Sequence, residues 1–378
     1  MIYIILVSLL YISTSFVFAQ NKAFYQCGGS NWKGTTDCPT NYYCKEYNQY
    51  FSQCVPKETS VITKTTTVTR TTSISVKTTS VPEEISNLKS KLEGFAEGTT
   101  GGKGGVVINV TNQAELEKAV SGKDPKIIKV KGIIKLSKDI ILHSNTSLIG
   151  VDSNSGFTGA GFYFKSESNI IIQNLKFSYC LGSSKDCIGA RRSSNIWIDH
   201  CEFYSDLNHD KDYYDGLIDF SYACEDITIS WNYIHDHSKV SLIGHNDNNE
   251  TTDFGKFHIT YHHNYFRKCT SRLPSLRFAN AHIYNNVYEN IDYIAINSRM
   301  KSQVLIENNI FHNVDIPIAT NRESPVEGFV NERNNDFGGS AGKNSITKIG
   351  SFTSVPYKYE LTNLSTLYKY VTENVGPK

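Results

Sequence analysis

Three aspartates and three cationic side chains recur at related phases along residues 186–277. They are Asp186 in KDCIGA, Asp215 and Asp219 in DGLIDF, Lys239 in SKVSL, and Arg272 and Arg277 around the proline of SRLPSLRF. Aspartates are hard oxygen donors, and with no thiol among them the trio suits Ca²⁺. Arginine is seldom buried without a partner, so two guanidiniums in an apolar and hydroxylated stretch call for an anion. Internal ion pairing is the competing account, because three acids and three bases neutralise one another on charge alone. Two other chemistries compete. His235, His237, His262 and His263 offer imidazoles, but zinc needs three or four convergent ligands and these fall in or near strand cores and turns. Asp199, Asp206, Asp210 and Asp212 offer carboxylate pairs of the kind that hydrolyse glycosides.

What must position these groups is a repeat. IIIQNLKF (170–177), IWIDHCEF (196–203), ITISWNYI (227–234), ITYHHNYF (259–266), AHIYNNVY (281–288) and VLIENNIF (304–311) each open on β-formers. Each closes on an aromatic or branched aliphatic residue, and their starts are 26, 31, 32, 22 and 23 residues apart. The last four share an asparagine at the sixth place: Asn232, Asn264, Asn286 and Asn309. One strand motif every 22 or so residues, with insertions at a fixed phase, predicts a parallel β-helix. Equivalent side chains then stack about 4.8 Å apart, asparagines at a bend and aromatics inside. In that register Lys239, seven after Asn232, and Arg272, eight after Asn264, become neighbours on adjacent coils. Strand alternation over DGLIDF sends Asp215, Leu217 and Asp219 outward and Ile218 and Phe220 inward. GTTGGKGG (98–105) fails as a phosphate loop, because its Lys is followed by Gly and no strand precedes it.

The N-terminal quarter reads differently. An apolar run ends in small residues, and Val17-Phe18-Ala19 before Gln20 fits a signal-peptidase site, so residues 1–19 are expected to be a cleaved signal and the protein secreted. No anchoring flank follows, and no later stretch is apolar enough to span a membrane. Residues 23–56 hold Cys27, Cys38, Cys44 and Cys54 in a piece too short to bury a core, so two disulfides are expected. Spacing leaves all three connectivities open. Its many aromatics cannot all be inside, and exposed rings stack on flat faces such as sugars. Residues 57–84 are a Thr/Ser-rich tether that cannot offset its ordering entropy. Residues 85–378 form the large domain. A formal charge of +1 argues against nucleic acid.

Two resemblances sharpen this reading. QCGGSNWKG and NQYFSQC resemble the fungal-type family 1 cellulose-binding module. That implies the pairs Cys27–Cys44 and Cys38–Cys54, and a flat cellulose-binding strip of Phe24 or Trp32 with Tyr50 and Phe51, helped by Asn48 and Gln53. GTTGGKGG, WIDHCEF, DYYDGLIDF, TISWNYIHDHSKVSLIGH, ITYHHNYF and SRLPSLRF, in that order, resemble the pectate lyases of polysaccharide lyase family 1 over residues 93–378. The resemblance implies an all-β, right-handed parallel β-helix with a small disulfide-stapled β module. It also implies calcium ligands at Asp186, Asp215 and Asp219, substrate-binding Lys239 and Arg277, and Arg272 as catalytic base. Some members carry a fourth acid where Ser184 stands. The implied reaction is calcium-dependent β-elimination on polygalacturonate (pectate), giving 4,5-unsaturated oligogalacturonides, by a monomer anchored to cellulose.

A pectin lyase on methylated substrate, a polygalacturonase and a non-catalytic β-helix wall-binding protein are the alternatives. The intact acids speak against the first, and the retained Lys239, Arg272 and Arg277 against the last. Sequons at Asn109, Asn145, Asn249 and Asn363 permit N-glycans. Cys180, Cys187, Cys201, Cys224 and Cys269 are odd in number, which leaves at least one free or intermolecular.

Overall fold

The computed structural model describes residues 26–30, 32–48, 51–57, 91–338 and 344–378. They fall into two compact units, divided between Ser75 and Val76. The expected signal segment, residues 1–19, and the expected tether beyond Lys57 lie outside the described residues.

In the small unit, Gln26–Gly28, Phe51–Pro56 and Tyr42–Asn48 make a three-stranded antiparallel sheet with Phe51–Pro56 in the middle. Disulfides join Cys27 to Cys44 and Cys38 to Cys54, the pairing that the cellulose-binding resemblance implied.

The large unit is a parallel β-helix with three faces. One is a ten-stranded sheet running from Val106–Val110 to Phe329–Arg333, each strand bonded in parallel to the next coil. A second carries Lys176–Ser178, Glu202–Tyr204, Tyr233–Lys239 and Tyr265–Ser271. A third carries Phe162–Lys165, Ile188–Arg191, Ile218–Ser221, Leu242–Ile243 and Ser275–Arg277. Val287–Arg299 runs through the corner between these two and pairs with both. Inward residues stack as the repeat requires: Phe177 lies parallel on Phe203 at 4.8 Å, and Phe266, Tyr288 and Phe311 form a column at 4.9 and 4.7 Å. The spacing matches the rung of a sheet.

The asparagines build the bend between the first and second faces. Each side-chain Oδ1 accepts the backbone N–H of the preceding ladder asparagine, from Asn232 through Asn264, Asn286 and Asn309 to Asn335. The residue before each one (Trp231, His263, Asn285, Asn308, Asn334) takes a left-handed φ of 53–57°. That turn strips backbone groups of sheet partners, and the asparagine amides replace them. Asn264 donates to the carbonyl of Ile229 and to Oδ1 of Asn286, and accepts from Asn232. Asn264→Ala should therefore leave at least two buried backbone groups unpaired, at about 1–3 kcal/mol each. The expected result is a drop in Tm with the reaction chemistry intact; an unchanged melt in calorimetry would mean that water replaces the ladder.

The glycine-rich segment is structural. A Cβ on Gly102 would lie 1.8 Å from the Lys126 carbonyl, so the chain there can rest on the first face only as glycine. Helix Gln113–Ala119, N-capped by Asn112, buries Leu116 and Ala119 in the main core. Helix Leu364–Asn374 packs Leu367 and Val371 on Tyr265, Val287 and Ile310 outside the second face. Among the described residues no helix is long and apolar enough to cross a membrane. Cys180 and Cys187 form a third disulfide, and Cys201, Cys224 and Cys269 are free and buried. Of the sequon asparagines, Asn249 has its amide nitrogen buried, and Asn363 uses its side chain to cap the last helix.

Candidate active site

The third face and its junction with the second collect the predicted groups. Lys239 ends the strand Tyr233–Lys239 and pairs in register with Ser271, which puts Arg272 one residue beyond on the next coil. Asp219 lies on Ile218–Ser221, beside Gly189 of the coil before it. Asp215 departs from the alternation read in DGLIDF. The strand begins only at Ile218, and Leu217 is 1% exposed, so Leu217 packs inward and Asp215 reaches the wall from the preceding loop. Asp186 also comes from a loop, ahead of Ile188–Arg191. Asp186, Asp215, Asp219 and Arg272 line one cleft of ≈430 Å³, with Ser184, Arg191 and His245 on its walls.

Asp186 accepts the backbone N–H of Gly216 at 2.9 Å, and Asp219 that of Leu242 at 2.9 Å. Asp215 is drawn aside to Lys239 Nζ at 2.7 Å, and Lys239 also donates to Asp212 at 2.9 Å. Desolvation, reinforced by the negative charge of Asp219, pushes the Asp186 carboxyl up to about 9. Desolvation also raises Asp219 to about 7, although Arg272 pulls the other way. Burial lowers Lys239, but its bonds to Asp215 and Asp212 outweigh that and its pKa is raised. Two desolvated carboxyls that repel each other, each with oxygen lone pairs left over, are a donor set that fits a hard divalent cation. Among the described residues the only trio of ligand atoms within 4.8 Å is Cys27, Cys38 and Cys54, already held in disulfides. The three aspartates stand wider, with Asp215 engaged by Lys239.

The two arginines differ. Arg277 donates from Nε to Asp247 at 2.5 Å and from Nη1 to the carbonyl of Gly244 at 2.8 Å. Burial pushes Asp247 up, but its bonds to Arg277 and Ser324 win and its pKa is lowered. Arg277 is thus clamped by an internal acid. Arg272 is not: among the described residues its guanidinium has no hydrogen bond or ion pair, although it shares a cleft with three carboxylates. Asp247 went unread in the sequence, thirty residues before the arginine that it holds. Asp139 was missed too. Its carboxylate accepts the Ser184 N–H at 2.8 Å.

The rival chemistries do not assemble. His235 pairs with Asp236 and Glu202, His237 donates to the Asp215 carbonyl, and His262 meets His263 in the interior. Burial lowers His237 to about 4. Asp199 is buried against Ser230, Asp206 bonds His209 and Tyr214, and Asp212 accepts from Lys239, so these carboxylates are engaged by internal partners.

Comparison with known proteins agrees with this geometry. Residues 85–377 match the Pectate lyase family, and residues 23–51 the fungal cellulose binding domain. The chain is 46% identical over 280 residues to pectate lyase A of Emericella nidulans, spanning 74% of this chain and 83% of that protein. The chain belongs to the pectate lyase family. It is 42% identical over 302 residues to pectate lyase A of Aspergillus niger, covering 79% of this chain and 91% of that one. Among solved structures, a pectate lyase from Bacillus sp. N165 in complex with trigalacturonate superposes with a TM-score of 0.71 at 33% identity, covering 76% of this chain and 99% of that one. Pectate lyase II of Xanthomonas campestris gives 0.65 at 25% identity, covering 76% and 98%. The chain is accordingly an enzyme of this family with an N-terminal cellulose-binding module.

In that module, Phe24 and Tyr50 of the expected strip lie outside the described residues, and Asn48 and Phe51 are placed only as members of their strands. Trp32 is half-buried and donates Nε1–H to the Thr35 carbonyl at 2.9 Å. Gln53 sits on the middle strand between Gln26 and Lys45 and is 4% exposed.

Proposed function

We propose that the protein is a secreted enzyme that cleaves α-1,4-polygalacturonate by calcium-dependent β-elimination, releasing 4,5-unsaturated oligogalacturonides. Its N-terminal module holds it on cellulose in the plant cell wall. The observation that carries the reading is the unpartnered Arg272 guanidinium in a cleft lined by Asp186, Asp215 and Asp219. A protein that used these groups only for stability would have closed the pair.

Asp186, Asp215 and Asp219 would hold the ion. Bound Ca²⁺ would withdraw charge from the substrate carboxylate and acidify the carbon beside it. Lys239, fixed between Asp212 and Asp215, adds a positive charge at the same wall and stabilises the enolate-like transition state. Arg277, with Nε and Nη1 already committed, keeps Nη2 for a galacturonate carboxylate and fixes the sugar. Arg272 enters this step as the neutral guanidine, takes the C5 proton on a free nitrogen and becomes the guanidinium cation. The C5–H electron pair becomes the C4–C5 double bond as the C4–O bond to the leaving chain breaks, and that oxygen is protonated. Incubation with polygalacturonate should release oligomers that absorb in the ultraviolet through the new double bond. Reducing ends appearing without that chromophore would identify a hydrolase instead.

The module is a separate function in this reading. Trp32→Ala with Tyr50→Ala should abolish retention on insoluble cellulose. Turnover of soluble polygalacturonate should be unchanged, because the two units are coupled only through effective concentration. A large fall on soluble substrate would contradict that independence.

A further inference from the structure

Arg191 is a second unpartnered guanidinium on the same wall, and neither the acid trio nor the Arg272 reading uses it. It ends the strand Ile188–Arg191 and is exposed, and among the described residues its side chain has no hydrogen bond or ion pair. Two rings hold it. Its guanidinium carbon lies 5.7 Å from the centre of Tyr163 on one coil and 5.3 Å from that of Tyr222 on the other side. Cation–π contacts of this kind restrain the arm while leaving its N–H edge free for a planar anion. Tyr222 is itself stacked on His245 at 4.1 Å, and His245 lines the cleft.

The register relates this arm to Arg277. Arg191 pairs with Ser221, the Gly244 N–H bonds to the Phe220 carbonyl just before Ser221, and Gly244 lies against Arg277. The two arginines therefore stand on one outward row, three rungs or about 14 Å apart at ~4.8 Å per rung. Between them the row carries only a serine and a glycine. A side chain on Gly244 would press on Arg277, its Cβ 2.9 Å from that of the arginine. Short residues between two guanidinium arms make a trough along the helix axis, open beside the acid trio.

We propose that Arg191 is a carboxylate-binding arm for a second uronate of the same polymer strand, several sugars from the reacting unit, with Tyr222 and His245 as its stacking platform. A ligand with one carboxylate per sugar matches two cations on one row, whereas a neutral glycan would leave Arg191 unanswered. This rests on the polygalacturonate reading of the cleft. Arg191 would be a binding and positioning residue that favours long, unesterified substrate, and not a group that touches the reacting atoms.

The test is affinity electrophoresis of the full chain through gels containing polygalacturonate, or the same polymer fully methyl-esterified, with chelator present so that no cleavage occurs. Arg191→Gln should weaken retention by polygalacturonate on the order of tenfold, as for loss of one charge-assisted contact. It should leave retention by the esterified polymer unchanged, and Arg191→Lys should fall between. In turnover with Ca²⁺, the KM for polygalacturonate should rise by a similar factor with kcat little moved. Equal losses on both polymers, or none on either, would overturn the arm. If the arm's selective loss appears while wild type makes no unsaturated product, the lyase chemistry fails and the arm stands. If wild type cleaves normally and Arg191→Gln is indistinguishable from it, the arm alone fails.

Discussion

Replacing Arg272 by lysine should lower kcat by roughly 10²–10⁴-fold, the range for loss of a general base, while KM barely changes. Lysine keeps the charge but moves the proton acceptor and discards the planar fork. Substrate should still bind, because Lys239 and Arg277 stand on separate anchors: Lys239 on Asp212 and Asp215, Arg277 on Asp247 and the Gly244 carbonyl. A loss confined to kcat marks an interaction made only in the transition state. The structure also sharpens the control. The Arg272 side chain has no ion pair among the described residues, so the variant should melt within a degree or two of wild type, as a surface change does. Arg277→Lys should behave differently. It would break two internal hydrogen bonds and strand the half-buried Asp247, raising KM and lowering Tm together. If Arg272→Lys retains most activity, or is inactive because it does not fold, Arg272 is not the base.

Why the sequence carried so much of this follows from the repeat. A β-helix converts phase into proximity, so counting residues from Asn232 and Asn264 was enough to bring Lys239 and Arg272 onto adjacent coils. The aromatic columns and the asparagine ladder were legible for the same reason, although the ladder runs one rung further than the motif showed, to Asn335. Legibility stopped where the coil leaves the strand. Asp215 and Asp186 sit on loops whose lengths differ between coils, so alternation placed Leu217 on the wrong face. The odd cysteines resolved into one local disulfide and three buried thiols, which parity alone could not assign. Partners supplied by insertions escaped too. Asp247 clamps Arg277 from a loop thirty residues upstream, and Tyr222 frames Arg191 from the next coil. A signal was present for the second: two adjacent arginines stand five and six residues after a candidate calcium ligand.

Chelation should abolish the release of unsaturated oligogalacturonides, and Ca²⁺, but not Mg²⁺, should restore it. The argument starts from the acids. Asp186 and Asp219 are desolvated and repel each other, and Lys239 relieves only Asp215 directly. Only Asp215 has a cation bonded to it; Arg272 offsets the desolvation of Asp219 only in part. The three are also unevenly placed, on two loops and one strand, and held wider than a tight cage. Ca²⁺ accepts variable geometry and 6–8 oxygens, whereas Mg²⁺ demands a near-ideal octahedron and gives up water reluctantly. Ser184 on the cleft wall offers a hydroxyl and not a charged donor, which should keep affinity low, so millimolar Ca²⁺ should be needed for full activity. A readout without turnover separates binding from chemistry. Ligand that binds only the folded state raises stability by RT ln(1 + [L]/Kd), about 2.7 kcal/mol at a hundredfold excess over Kd. Ca²⁺ should therefore raise the Tm of wild type and of Arg272→Lys alike, and Asp219→Asn should lose both the shift and the activity. Asp215→Asn should lose the activity and also free Lys239, whose second anchor, Asp212, is exposed and holds it less firmly. Full turnover in excess chelator would remove calcium from the mechanism and return the cleft to a pectin lyase or a hydrolase. A Ca²⁺-dependent Tm shift with no turnover at all would leave the metal site in place but take the chemistry away from Arg272.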